Sequence, residues 1–233
     1  AGTLDQADAI RAKRRQVLAH LDSLTQSIFH DMFGRDEATA EFGDVAEIQG
    51  GLQVSAKRAA LPVEVPYLRV ANAHRGRLDL AEVKTLRATE AEVDRTRLRK
   101  YDLLFVEGHA NPLEVGRVAM WDGSVAGCVH QNHLIRGRID KQRLLPVVAL
   151  HWFNSVAGAD HFRRAGRTTS GLNTISASTV RSAPIVLPDR GLQTQFADRV
   201  RQIEGTKSRL HAAVAADGEL FASLQSRAFR GEL

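Results

Sequence analysis

Apolar residues at the two ends of the chain recur on a seven-residue repeat. Towards the C-terminus, Val200, Ile203, Leu210, Val214, Phe221, Leu224 and Ala228 occupy the a and d positions of one helical seam, interrupted by Lys207 and Asp217. Leu4, Ala7, Leu18, Leu21, Ile28 and Met32, 196 residues earlier, hold the same register, and Arg11 stands where Lys207 stands. The match continues off the seam, Asp8 with Glu204, Leu24 with Leu220, Ser27 with Ser223 and Phe33 with Phe229. A seam this narrow needs a partner helix, and the nearest candidate is the other copy. Thirty to forty helical residues at ~1.5 Å each make a rod of roughly 45 to 60 Å, the length of a spacer. Core helices of an ordinary bundle would show the same period; the repetition across the chain favours the spacer.

Between the helices the pattern becomes short and mixed. Gly34 is a suitable stop for the first helix, and residues 35 to 41 read as a linker. Val45 to Ile48 is apolar and ends at Gln49, Gly50 and Gly51, a turn where backbone can approach a ligand closely. Leu52 to Pro62 reads as a loop; Tyr67, Leu68 and Val70 as a strand; Asn72, His74, Arg75, Gly76 and Arg77 as a polar loop before a strand at Leu78 and Leu80. Residues 88 to 100 are helical or irregular and carry the basic run Arg95, Arg97, Arg99 and Lys100. Leu103 to Val106 predicts a buried strand, followed by the polar turn from Glu107 to Pro112. Val115 to Trp121 predicts another strand, with Asp122 and Gly123 as a hairpin signal. Val125 to Ile135 continues the sheet, interrupted at Gln131, Asn132 and His133. Pro146 to Val156 predicts a buried helix, Arg163 to Asn173 a basic loop, and Ile175 to Leu187 the closing segment. The prediction is α+β: one mixed globular domain over 41–187, flanked by long coiled-coil-forming helices over 1–34 and 188–233.

Charge changes the picture more than composition does. The 233 residues have a net charge of +5, and the segments 1–40, 41–187 and 188–233 contribute −1, +5 and +1. A basic globular segment between near-neutral helices fits a polyanionic partner, whose phosphates release counterions when neutralised. A basic surface that serves solubility alone is the plainer alternative. The single cysteine, Cys128, excludes an internal disulfide framework. No apolar run approaches the ~20 residues of a membrane span, and no signal pattern opens the chain, so a cytoplasmic protein is expected.

Catalytic patterns are weak. Cys128, His130 and His133 could be drawn as metal ligands or as a thiol with its base, yet no second ligand cluster accompanies them. Phosphate-binding glycine loops are missing, and Asn111 and Pro112 are followed by Leu113, which departs from an adenine-methylation motif. The residues do not argue for an enzyme, and no metal is expected.

Leu4 to Gly34, LDQADAIRAKRRQVLAHLDSLTQSIFHDMFG, resembles the central conserved helix of the specificity subunits of type I restriction-modification systems, and FASLQSRAFRGEL at the end resembles their C-terminal conserved helix. GDVAEIQGG, PYLRVANAHRGRLDL, CVHQNHLIRGR and SGLNTISASTVRSAPIVLP resemble segments of one target recognition domain. The family's usual subunit has two such domains, so this chain corresponds to one half. The resemblance implies a non-catalytic subunit that reads half of a bipartite site in double-stranded DNA. Its helices would act as spacer and as docking surface for methyltransferase subunits, with restriction subunits joining through the complex. The second half would be another recognition domain or a second copy paired through the terminal helices. S-adenosylmethionine, Mg and ATP would belong to partner subunits, and this chain would bind no cofactor. The alternative is a coiled-coil scaffold protein whose basic domain binds protein or RNA.

Within this reading, Gln49, Asn72, Gln131, Asn132 and Asn173 offer amides suited to adenine. Arg69, Arg75, Arg77 and Arg167 suit guanine or phosphate, and His74 lies among them. Thr168, Thr169 and Ser170 suit backbone phosphates.

Overall fold

The computed structural model describes residues 2–34, 36–166 and 173–230. In chain order the elements are α1 (Gly2–Phe33), β1 (Ala40–Glu41), β2 (Ala46–Gly50), β3 (Val63–Leu68), β4 (Ala73–His74), β5 (Arg77–Leu78), β6 (Lys84–Ala88), α2 (Glu90–Thr96), β7 (Leu103–Val106), β8 (Gly108–His109), β9 (Val118–Met120), β10 (Val129–His130), β11 (Leu134–Ile139), α3 (Pro146–Asn154), α4 (Val156–Ala165), β12 (Asn173–Thr174), α5 (Ala177–Arg181), β13 (Pro184–Ile185) and α6 (Arg190–Phe229). They form two compact units, one of residues 1–35 with 194–233, the other of 36–193.

The first unit joins the two helices that share the heptad pattern. Arg14 meets Asp217 at 2.6 Å and Arg11 lies over the Phe221 ring at 4.7 Å, while Phe29 and Phe33 meet Phe196 edge-on. Rising numbers in α1 meet falling numbers in α6, so the pair is antiparallel. Covered positions follow the seam, Arg11, Arg14, Leu18, Leu21, Thr25, Ile28 and Met32 facing inwards along α1. The polar interruptions seen in the sequence therefore have partners: Asp217 takes the Arg14 ion pair, and Arg11 gives a guanidinium to an aromatic face. The side chains of Leu4, Ala7, Leu220, Leu224, Ala228 and Phe229 lie outside the described set.

The second unit is built around an antiparallel sheet in the order β2-β11-β7-β9. All four residues of β7 are fully buried, so both of its faces must be covered. Phe105 points to one side, where Phe42, Phe153 and Phe162 pack around it at centroid separations of 5.2 to 5.6 Å. Leu104 and Val106 point to the other, into a cluster with Leu68, Ala119, Trp121, Cys128 and Leu134. Gly137 permits the aromatic side, since a Cβ there would lie 2.6 Å from the Phe42 ring. A second sheet, β10-β3-β6, holds the core of Val65, Tyr67, Leu86 and Val129.

One buried and two half-buried arginines fasten these layers. Arg136 donates to the Arg95 and Arg97 carbonyls at the end of α2 and to Glu47. Arg138 grips the buried Asp102 carboxylate with two nitrogens, at 2.9 and 2.7 Å. The start of α2 is closed by a reciprocal cap between Thr89 and Glu92, and Arg58 forks onto the same carboxylate at 2.9 and 3.1 Å.

Three local expectations are corrected. The Asp122–Gly123 signal does not make a hairpin: β9 pairs with β7, and the chain turns at Gly127, φ +67°, so that β10 runs parallel to β3 in the second sheet. Arg163 to Ala165 continues α4 and is not loop, because Ser155 caps the helix, Phe162 is buried and Asp160 pairs with Arg163 and Arg164 one turn on. The Leu52–Pro62 loop contains a 3₁₀ turn over Ala56–Ala60, held where Arg58 reaches Gln53 and Glu92.

The Arg58 contacts and the Thr89 cap hold the Glu92 carboxyl at about 2, below its ordinary 4.5. Its stabilising contribution is complete above pH 4.5 and disappears as the pH falls towards 2. Urea unfolding at stepped pH should therefore show Glu92→Gln less stable than wild type at pH 6, with the gap closing between pH 4.5 and 2.

Candidate nucleic-acid interface

Strand register separates the loops into two ends of the central sheet. Val106, Leu134 and Gly50 lie at one end, Leu103, Ile139 and Ala46 at the other. The first end carries the segments after Glu107, the Gln131–His133 turn and the Gly50–Gly51 turn. Nearly all of the candidate residues described by the structure are brought here.

Contacts link the loops in sequence. Glu107 donates its backbone N–H to the His133 carbonyl at 3.0 Å, and its own carbonyl accepts from Ile175 at 2.8 Å. Asn173 pairs with His109 in a short ladder, and its amide donates to the His109 and Ala110 carbonyls. Arg75, at the tip of the β4–β5 hairpin, donates to the Leu113 carbonyl at 2.6 Å and reaches Asn154 at 3.4 Å. Gly76, with φ +73°, closes that hairpin and donates to Val118 at the edge of the sheet. An open cleft of about 680 Å³ lies among these loops, between Val70, Glu107, His133, Ile175 and Thr179.

The predicted residues divide by what they already hold. Asn72 is 3% exposed, accepts from the Arg69 N–H and donates to the Asp79 and Glu82 carbonyls at 2.8 and 2.9 Å. Its amide therefore shapes the loop and has no donor left for a base. Arg69 is tied to Glu82, and Gln49 donates to the adjacent Gly50 carbonyl while its own carbonyl faces His130. Arg77 is exposed, Gln131 and Asn132 are half-buried, and none of their side chains takes a hydrogen bond among the described residues. His74 is half-buried opposite Arg77. Arg167, Thr168, Thr169 and Ser170 lie outside the described residues. The Gly51 turn makes a close approach, but to this chain: a Cβ there would collide with the His130 and Gln131 carbonyls.

Two features of this end are not visible in the sequence. Arg117 is 7% exposed and donates to the Ala73 and Val70 carbonyls and to Glu114, fastening the polar hairpin onto β9. Glu107 and His133, 26 residues apart, meet at 2.7 Å. Apart from the Glu114 contact three residues away, these contacts leave no local sequence signal, because they join segments distant along the chain.

Cys128, His130 and His133 occupy different environments. Cys128 is buried among apolar side chains, and desolvation pushes its thiol up to about 12, away from the nucleophilic thiolate. His130 is fully buried, with its ring nitrogens against the Thr96 and Gln49 carbonyls at 3.1 and 3.3 Å, and burial lowers it to about 4. It is neutral at physiological pH and has no nitrogen facing solvent. His133 is exposed and faces Glu107.

No family model matches the chain. Over 198 residues it is 29% identical to the EcoKI specificity subunit, a type I restriction enzyme component of Escherichia coli K12, covering 81% of this chain and 41% of that protein. Over 176 residues it is 23% identical to the StySPI specificity subunit of Salmonella potsdam, covering 73% and 38%. The chain thus spans about two-fifths of the length of these curated relatives. Its fold is similar to that of the HsdS subunit from Thermoanaerobacter tengcongensis, with a TM-score of 0.55 and 16% identity over all of this chain and 56% of that one. A chain from a type I R-M system has a TM-score of 0.62 with 16% identity, over all of this chain and 57% of its own length. The resemblance to type I specificity subunits is therefore present in both sequence and fold.

The division between loop-shaping and unengaged residues is measurable. Asn72→Ala should lower the unfolding free energy by about 1–3 kcal/mol, the cost of stranding buried backbone groups. Arg77→Ala should change it by less than about 0.5 kcal/mol in the same urea titration.

Proposed function

We propose that this chain is a sequence-specific DNA-recognition subunit that reads one half of a bipartite target within a type I restriction-modification complex. The observation that carries the reading is the gathering of Arg75, Arg77, Gln131, Asn132 and Asn173 onto loops at one end of a rigid sheet. Guanidinium and amide groups are the side chains that pair with phosphates and with the acceptor and donor edges of guanine and adenine. Arg77 has no partner among the described residues and suits phosphate or guanine, and the half-buried amides of Gln131 and Asn132 suit a base edge. Asn72 and Arg69 serve the same surface indirectly, by fixing the hairpin that presents Arg75 and Arg77. Similarity to specificity subunits supports the same assignment.

In this reading α1 and α6 form the spacer that sets the gap between half-sites and the docking surface for methyltransferase subunits. At ~1.5 Å per residue their 32 and 40 residues correspond to roughly 48 and 60 Å. The second half-site is read by another recognition domain or a second copy of this chain. Adenine methylation and cleavage belong to methyltransferase and restriction subunits, which carry S-adenosylmethionine, Mg and ATP. The chain itself supplies positioning and readout and performs no bond-making step.

Co-expression with its neighbouring methyltransferase subunit, followed by single-molecule sequencing of methylated adenines, should reveal a new gapped motif. A palindromic motif would identify pairing of two copies. An assembled complex that yields no motif overturns the reading. In a titration of the complex against duplex at several salt concentrations, Arg77→Ala should reduce the slope of log K against log salt by about 1 if Arg77 holds a phosphate.

A further inference from the structure

Among the described residues lining the cleft, Glu107 is the one carboxylate. A carboxylate on a surface that binds a polyanion is repelled by phosphates, and an exposed contact of this kind adds little to stability. Its position is nevertheless built. Glu107 directly follows the buried strand β7, and its backbone is held on both sides, by the His133 carbonyl and the Ile175 N–H. The carboxylate is held as well, because His133 Nδ1 lies 2.7 Å from Oε2. A carboxylate oxygen accepts, so the imidazole donates there through its Nδ1 proton. Oε1 takes no hydrogen bond among the described residues, and the side chain is 30% exposed. Gly108 keeps the adjoining wall thin, since a Cβ at that position would lie 3.1 Å from the Thr174 methyl. Apart from His133, the other described residues lining the cleft have no ionisable side chain, with apolar walls at Val70 and Ile175 and hydroxyls at Ser176 and Thr179.

An orientated acceptor without a donor of its own calls for a donor from the ligand. In the major groove cytosine presents its N4 amino group without the N7 acceptor that accompanies the amino group of adenine, while guanine and thymine present acceptors to the same site. A carboxylate therefore attracts cytosine and is repelled by guanine and thymine. We propose that Glu107 is a specificity-determining residue that reads a cytosine of the half-site, and that His133 is the positioning residue that holds its carboxylate. The inference rests on the DNA-recognition reading above.

The test uses the full chain co-expressed with its methyltransferase partner, comparing methylated motifs for wild type, Glu107→Gln and Glu107→Ala. Wild type should specify cytosine at one position. Glu107→Gln, whose amide can donate and accept together, should admit adenine at that position, and Glu107→Ala should relax it. Binding of synthetic duplexes carrying each base there should show that the preference for cytosine falls roughly tenfold or more in both variants. His133→Ala should relax the same position, and His133→Asn should restore part of the preference. Affinity for an unrelated duplex should not fall in the Glu107 variants, because each removes a negative charge; a merely structural Glu107 would weaken both kinds of binding. A wild-type motif left unchanged at every position by both Glu107 variants overturns this inference and leaves DNA recognition standing. No wild-type motif from an assembled complex overturns both.

Discussion

Strand β7 lies between β11 and β9, with both edges paired and both faces covered. Four apolar residues in this setting leave little freedom. Phe105 must enter the aromatic cluster, Leu104 and Val106 must enter the opposite core, and the polar residues that flank the strand must leave at its two ends. Asp102 therefore sits at one end, neutralised by Arg138, and Glu107 at the other, beside the cleft. The antiparallel register carries this polarity to β11, so that the Gln131–His133 turn emerges beside Glu107. The candidate interface is a consequence of how one strand is buried.

Loops at such an interface need stiffening that a small core does not supply. Here the stiffening comes from polar side chains whose donors are spent on backbone carbonyls. Arg117 binds two carbonyls of the polar hairpin and Glu114, and Asn72 binds two more across that loop. A buried guanidinium is costly unless its donors are satisfied, so these contacts fix the loop in one arrangement. The exposed Arg77 and the partly committed Arg75 are then presented from a rigid frame.

The helical unit applies the same economy to its seam. A strictly apolar heptad leaves axial register weakly determined, whereas Arg14 with Asp217, and Arg11 with Phe221, match in one alignment only. The Phe29, Phe33 and Phe196 cluster supplies bulk apolar packing at the other end of the described seam. The basic and acidic interruptions of the repeat are thus register marks, which periodicity alone shows only as exceptions.

The sequence by itself determined the features that depend on local pattern. The seven-residue repeat required two long helices, the four apolar residues from Leu103 required a buried strand, and the α+β reading follows from the mixed segments between the helices. Composition also marked the polar turns at Asn72–Arg77, Glu107–Pro112 and Gln131–His133, though not what their members do. Amide and guanidinium groups look alike in sequence whether they are exposed, as in Arg77, or consumed by backbone, as in Asn72. Only the tertiary structure decided this, because hydrogen-bond partners are drawn from segments distant along the chain. It also decided that Val129–His130 joins the second sheet and that Glu107 meets His133, since strand pairing and ion pairs are settled by long-range packing, which no local pattern encodes.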